Sequence, residues 1–365
     1  MDHLPFAGGP RTGGKTVVWL SSQRRSRRAQ PFPRTGCTLG VLAEYTRVMD
    51  KRPRVLAQPE AIPPLQWRIG LIGYGEVGRI LAEDLRGRGV ARVIAHDLKL
   101  GGDDERPLCE HAERHGVALV ASHAAVAEAA DLLISAVTAN QTVPAAEACA
   151  PAVRSGAWFL DFNSASPGAK RRAAAAIDGA GGAYVEGAVM TSLPPHRLRV
   201  PLLLGGARAD ELQPHLEALG FNASVASDAL GVASATKMCR SVIIKGLEAM
   251  LIEALTAARA YGVESQVLAS LVETFPGIDW DEQATYFFQR VIQHGRRRAE
   301  EMFEVARTVE DIGLTPWSAA GSAERHAWVA DLADRGELGD RGDPTFARSA
   351  DWRIEADRIL RGRKR

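Results

Sequence analysis

Three polar side chains interrupt an otherwise small and apolar segment, GVASATKMCRS at residues 231–241, which runs into VIIKGLEAML. Lys237, Arg240 and Ser241 stand at i, i+3 and i+4, so on a helix they project to one side. Lys245 continues the stripe two turns on. Met238, Val242, Ile243, Leu247, Met250 and Leu251 fill the neighbouring faces, as expected of a helix buried along much of its surface. Polar groups on such a helix need partners, and a ligand cleft is one source of them. The chemistry open to this set is proton transfer. A lysine titrates ordinarily at about 10.4 and becomes a useful base once desolvation and nearby positive charge lower it by roughly 2 to 3 units. Arg240 is the neighbour expected to supply that charge. Spacing alone also permits a lysine that snorkels to solvent.

A second chemical signal is WRIGLIGYGEVGRILAEDLRGRG. The apolar run from Ile69 to Ile72 reads as a buried strand, Gly73, Gly75 and Gly78 complete G-x-G-x-x-G, and Val77, Ile80, Leu81 and Leu85 follow at helical spacing. Gly73 permits the tight turn, Gly75 lets the backbone approach a pyrophosphate, and Gly78 lets helix and strand pack closely. Tyr74, Glu76 and Val77 fill the remaining loop positions and count with the glycines as cofactor-binding candidates. The next strand, RVIAHD, ends in Asp97, where an acid accepts the adenosine ribose hydroxyls and repels a 2′-phosphate. NAD is therefore favoured, with NADP kept open by Arg92, His96 and Lys99 nearby in sequence. By contrast, GPRTGGKT at 9–16 matches a phosphate-loop pattern without a preceding strand or a following helix, and is set aside.

These candidates require an alternating scaffold. DLLISAV, AWFLDF, GAYVEGAV, VPLLLGG and NASVAS read as further strands between helical stretches, whereas from about residue 230 the periodicity is helical at 235–261, 264–274, 280–313 and 317–334. The expected fold class is α/β: an N-terminal Rossmann doubly wound parallel sheet followed by an all-α C-terminal domain. The expected divisions are a basic, disordered extension at 1–66, the NAD(P)-binding domain at 67–228, a helical substrate and dimerisation domain at 229–335, and a basic C-terminal tail at 336–365, whose final RILRGRKR is expected to be mobile. Ligands of such sheets bind beyond the strand carboxyl ends, which adds Val137 and Thr138 to the cofactor candidates.

The net charge of +1 conceals an asymmetry, since residues 1–58 carry a balance of +8 and the remainder −7. An acidic globular part argues against nucleic-acid binding. Cys37, Cys109, Cys149 and Cys239 show no metal-ligand spacing, and no metal site is expected. No run of about 18 apolar residues and no secretory h-region appears. A cytoplasmic chain with reduced thiols and no membrane partner is the expectation. Arg296, Arg297 and Arg298 could anchor a carboxylate or phosphate, but only one of three successive helical residues can point into a cleft. His294 is a possible second polar contact. No Ser/His/Asp arrangement, HExxH or paired-carboxylate spacing suggests a hydrolase.

In order along the chain, GYGEVG, DFNSASP, YVEGAVMTS and GVASATKMCRS resemble the β-hydroxyacid dehydrogenase and 6-phosphogluconate dehydrogenase superfamily. QHGRRRAEEMFEVARTVEDIGLTP is similar to a phosphogluconate-dehydrogenase-like subgroup of uncertain substrate. The resemblance implies that Asn163 meets the cofactor, that Ser164 meets substrate, and that Met190, Thr191 and Ser192 stand where relatives carry a Ser-Gly-Gly substrate loop. It places the catalytic lysine at Lys237. Ser241 falls at the position of an asparagine that orients the substrate hydroxyl, and Arg240 at that of a histidine in true 6-phosphogluconate dehydrogenases. The implied activity is NAD-dependent hydride transfer between nicotinamide and a hydroxyacid or its oxo partner, on a small, carboxylate-bearing substrate, in a homodimer. Oxidative decarboxylation, imine reduction on the same scaffold and a non-catalytic NAD(P)-binding sensor are the alternatives.

Overall fold

The computed structural model describes residues 62–362. The basic extension through residue 61, the pattern at 9–16, Cys37 and the last three residues lie outside the described residues. Apolar strand runs with no polar alternation must be covered on both faces. β4 (Leu132–Ser135) and β6 (Ala183–Val189) are buried at every position. With β1 (Arg68–Ile72), β2 (Arg92–His96), β3 (Ala118–Leu119), β5 (Trp158–Asp161), β7 (Pro201–Gly205) and β8 (Asn222–Ser227) they form one sheet in the order β3-β2-β1-β4-β5-β6-β7-β8. The strands from β3 to β6 are mutually parallel, so their carboxyl ends share one edge. β7 runs antiparallel to β6, with β8 parallel to β7, so the sheet is mostly parallel and reverses direction at its last two strands.

Helices cover both faces. α1 (Glu76–Gly87), α2 (Glu105–His115) and α6 (Ala209–Ala218) contribute Leu81, Leu85, Leu108, Leu212 and Leu216 to one core. α3 (His123–Ala129), α4 (Thr142–Cys149) and α5 (Pro167–Gly179) contribute Val126, Ala146, Cys149 and Ile177 to the other. Beyond the sheet stand α7 (Val232–Tyr261), α8 (Glu264–Thr274), α9 (Trp280–Glu310), α10 (Trp317–Asp334) and α11 (Trp352–Gly362). None of the described helices is long and apolar enough to cross a membrane.

Two expectations need correction. The expected tail from 336 is part of the helical domain as far as residue 362, the start of RILRGRKR included: Leu338, Ala347, Trp352, Ala356 and Ile359 are all buried in the helical core. Trp352 packs against Phe288 at 5.7 Å between ring centroids and donates its indole N–H to Asp281 at 2.6 Å. The basic composition of its last turn masked an apolar stripe on the opposite side of the helix. Likewise, of the apolar residues expected on the buried faces of α7, Ile243 and Met250 are 65% and 60% exposed. Trp352→Ala should cost about 3–5 kcal/mol in chemical denaturation, as deletion of a buried aromatic does; a tail outside the core would leave stability within about 0.5 kcal/mol.

Candidate active site

The site begins with a buried carboxylate. Glu186, the lone acid in β6, is fully buried and accepts hydrogen bonds from the backbone N–H of Gly231 (2.8 Å) and Ala233 (3.1 Å), and from the Ser234 hydroxyl (2.7 Å). It thus satisfies the first turn of α7 and places negative charge at the positive helix end. Gly205 faces it across the β6–β7 ladder, where a Cβ would lie 2.4 Å from Glu186 Oε1. Gly231 enters the helix at φ +101°, in the left-handed region. Sheet and helix are therefore fixed to each other two turns before Lys237.

The strand ends opposite are tied down in a similar way. Asp161 receives the buried Lys170 ammonium (2.8 Å), the Tyr184 hydroxyl (2.6 Å) and the Asn163 N–H (2.9 Å). Asn163 accepts from the Val137 N–H at 2.7 Å and donates to Ser135 Oγ at 2.9 Å, so its amide joins the loops after β4 and β5. It borders the cavity chiefly as a brace for Val137. Glu304 of α9 accepts from the Ser166 N–H at 2.9 Å, tying the helical domain back to the start of α5.

Between these anchors lies a cavity of about 450 Å³ that brings Gly75, Glu76, Val77, Val137, Thr138, Asn163, Ser164, Met190, Thr191, Ser192, Lys237, Arg240 and Ser241 together. Met190 is part-exposed on its wall and not a core residue. Lys237 Nζ donates to Ser164 Oγ at 2.5 Å, the contact at which helical domain and sheet edge meet. Desolvation lowers the Lys237 ammonium to about 8; Glu301 opposes the shift, and Lys245, Lys170 and Arg297 support it. Arg240, expected to be a source of positive charge, is exposed and is not among these groups; the charges come from Lys245 two turns along α7, Lys170 of α5 and Arg297 of α9.

Two acids not singled out by sequence, Glu248 and Glu301, help to complete the wall. Lys245 is ion-paired with Glu301, and buried Arg298 with Glu248 through a bidentate contact. Burial pushes the Glu301 carboxyl up, but Lys245, Arg297 and Lys237 outweigh it and hold it down at about 2. α9 leaves helical geometry at His294 (φ −125°, ψ 16°). His294 does not border the cavity, and Arg290, Arg297 and Tyr286 do. Glu186 and Lys170 had a legible signal, a charge within a buried element that must find a partner. Glu301 had none, because its neighbour Lys245 is 56 residues away.

The glycine loop has the shape a dinucleotide needs. Gly73 turns at φ +92°, a Cβ on Gly78 would lie 2.2 Å from the Gly73 carbonyl oxygen, and a Cβ on Gly75 would project into open space at the cavity. That opening fits a pyrophosphate against bare backbone. Tyr74 differs from expectation: its ring is buried and its hydroxyl meets His111 Nδ1 at 2.8 Å, so it braces the loop from behind. Asp97 accepts from the Tyr74 N–H (2.7 Å) and the Lys99 N–H (3.0 Å), which fixes its carboxylate at the end of β2. The cations expected to offset it are turned away. Arg92 sits at the other end of the strand, His96 Nδ1 faces the Val120 carbonyl, and the Lys99 ammonium pairs with Asp104. Glu186→Gln should lower stability by about 1–3 kcal/mol in urea denaturation, through loss of a charged acceptor for three buried donors; an unchanged midpoint would show that this carboxylate does not hold α7.

Comparison with known proteins agrees with this architecture. Residues 68–223 match the NAD binding domain of 6-phosphogluconate dehydrogenase, and residues 258–329 match a domain of unknown function, DUF1932. A conserved hypothetical protein from Sinorhizobium meliloti 1021 is 38% identical, with a TM-score of 0.63 over 81% of this chain and 96% of that one. Human mitochondrial 3-hydroxyisobutyrate dehydrogenase is 23% identical over 70% of this chain and 76% of its own length. The 3-hydroxyisobutyrate dehydrogenase of Mycobacterium tuberculosis, solved with L-serine, shares the fold at 18% identity, with a TM-score of 0.60 over 80% of this chain and 99% of that one. The glycine loop at the sheet edge, the all-helical second half and these matches together identify the chain: it belongs to the β-hydroxyacid dehydrogenase and 6-phosphogluconate dehydrogenase superfamily of NAD(P)-dependent dehydrogenases.

Proposed function

We propose that this protein transfers a hydride between nicotinamide and a hydroxyacid or its oxo partner, with Lys237 as general acid and base. The observation that carries the reading is the contact of Lys237 Nζ with Ser164 Oγ inside the cavity, made by an amine lowered to about 8. Bound NAD supplies the hydride acceptor and NADH the donor. The protein must supply the proton chemistry and the alignment. Neutral Lys237 takes the hydroxyl proton as the carbonyl forms, and its ammonium returns a proton in reduction. Ser164 holds the amine in place before substrate arrives, and Ser241, buried one turn along α7, faces the same cavity and orients the hydroxyl. Met190, Thr191, Ser192 and Arg240 line the substrate end, where a carboxylate is to be held. Gly75, Glu76, Val77, Val137 and Thr138 form the cofactor end, and Asp97 favours NAD by repelling a 2′-phosphate.

The pH dependence has a definite sign. Oxidation needs the neutral amine, so its rate rises through about pH 8 and levels above it; reduction needs the ammonium and falls across the same range. With NAD and a panel of hydroxyacids, Lys237→Ala should lower kcat by roughly 10²- to 10⁴-fold and abolish this transition. An active variant with unchanged kcat would overturn the assignment, and NADH binding without turnover by the native protein would favour a sensor.

We also propose that the protein is a homodimer through the open face of α7. Ile243, Met250 and Tyr261 (84% exposed) lie along one side of this helix. An apolar strip of this kind on a long helix suits a second copy of itself. Sedimentation should give a dimer that Ile243→Lys converts to monomer; a native monomer would contradict the proposal.

A further inference from the structure

The substrate end of the cavity holds more positive charge than one carboxylate can match. Its walls from α7 and α9 carry Lys237, Arg240, Lys245, Arg290, Arg297 and Arg298. Lys245 and Arg298 are already neutralised by Glu301 and Glu248. Among the described residues, no carboxylate lies within 4 Å of Arg240, Arg290 or Arg297, and Arg290 rests over the Tyr286 ring at 5.2 Å. The arginine triplet makes the contrast within three residues. Arg296 turns to α10 and is held by Asp331 (2.6 Å) and Asp334 (2.7 Å), Arg298 is buried on Glu248, and Arg297 alone is left without an acid and faces the cavity.

Arg290 and Arg297 belong to one cluster. They are two helical turns apart on α9, on either side of the break at His294. Burial lowers the His294 imidazole to about 4, and the charges of Arg297, Arg290 and Arg298 add to the effect. The Arg297 charge also acts on Lys237 and on Glu301, which line the same cavity. Glu300 and Glu301 border the same cavity but neither comes within 4 Å of these guanidinium groups. Guanidinium groups on a cavity wall with no direct ion pair are suited to an anionic ligand, which they grip through charge-assisted, often bidentate, hydrogen bonds.

We propose that the substrate carries a second anionic group, a carboxylate or a phosphonyl or phosphoryl group, held by Arg290 and Arg297 while its hydroxyl faces Lys237. Arg240 completes the positive rim. This proposal rests on the reading of the cavity as a hydroxyacid site, and it sets the chain apart from relatives named for a monoanionic hydroxyacid.

The test uses unreactive ligands, so it does not depend on turnover. The full-length protein saturated with NADH is titrated calorimetrically with butyrate, succinate and 3-phosphonopropionate, three acids of similar length that differ at the distal end. Succinate or the phosphonate should bind at least roughly tenfold more tightly than butyrate, the factor expected for one added charged hydrogen bond. Whichever of the two is preferred identifies the second anion. Arg297→Gln and Arg290→Gln should each reduce that ratio several-fold, whereas Arg296→Gln, which loses only its contacts to α10, should keep it. Equal binding of all three acids by the native protein would overturn the proposal. So would a ratio preserved in both variants, or variants that weaken NADH binding while the ratio stands, since the arginines would then serve the cofactor. Preserved dianion binding in Lys237→Ala, with turnover lost, separates this claim from the proton-transfer role. Failure of the ratio with Lys237-dependent turnover intact would remove the second anion alone.

Discussion

The arrangement depends on one buried carboxylate. Glu186 leaves the sheet from a strand with no exposed residue and is stable there only because α7 offers it two backbone donors and a hydroxyl. A buried charge without such partners would cost several kcal/mol. The same bonds satisfy the first turn of the helix that carries Lys237. Gly205 is part of this constraint, because any side chain there would occupy the space of the Glu186 carboxylate. Glu304 makes the reverse connection, reaching from α9 to the start of α5. Two carboxylates exchanged between sheet and helices thus set the width of the cavity.

Within that frame, charge placement makes a lysine useful. Desolvation alone favours the neutral amine, Lys170, Lys245 and Arg297 add to it, and Glu301 works against them. Glu301 is itself engaged by Lys245, which keeps it from acting as a full counter-ion to Lys237. The balance leaves the amine at about 8, near the pH at which both proton uptake and release are possible. Moving any one of these charges shifts that balance, so the helical domain helps to set the protonation of Lys237.

Much of this was legible in the sequence because it depends on local pattern. The glycine loop, the acid ending β2, the polar stripe on α7 and the change from alternating to helical periodicity all lie within short windows. What escaped depends on pairings distant in sequence. Glu301 faces Lys245 across 56 residues, and Glu186 meets Ser234 across 48. Of the triplet at 296–298, expected to send one arginine into a cleft, two border the cavity, and only the position of Glu248, which pairs with Arg298, leaves Arg297 as the one without an acid within 4 Å. Tyr74 was legible as part of the loop, while its direction is set by His111 on α2. The basic end of the chain obscured α11 because composition was weighed over the buried spacing of Trp352, Ala356 and Ile359.

The central claim is that the fold delivers a lysine that loses its proton close to neutral pH. It is tested most directly by an NMR titration of the Lys237 side chain in protein labelled with ¹³C-lysine, the resonance being assigned by its absence in Lys237→Arg. The account predicts a midpoint near 8. A midpoint at about 10.4, the ordinary lysine value, would contradict it.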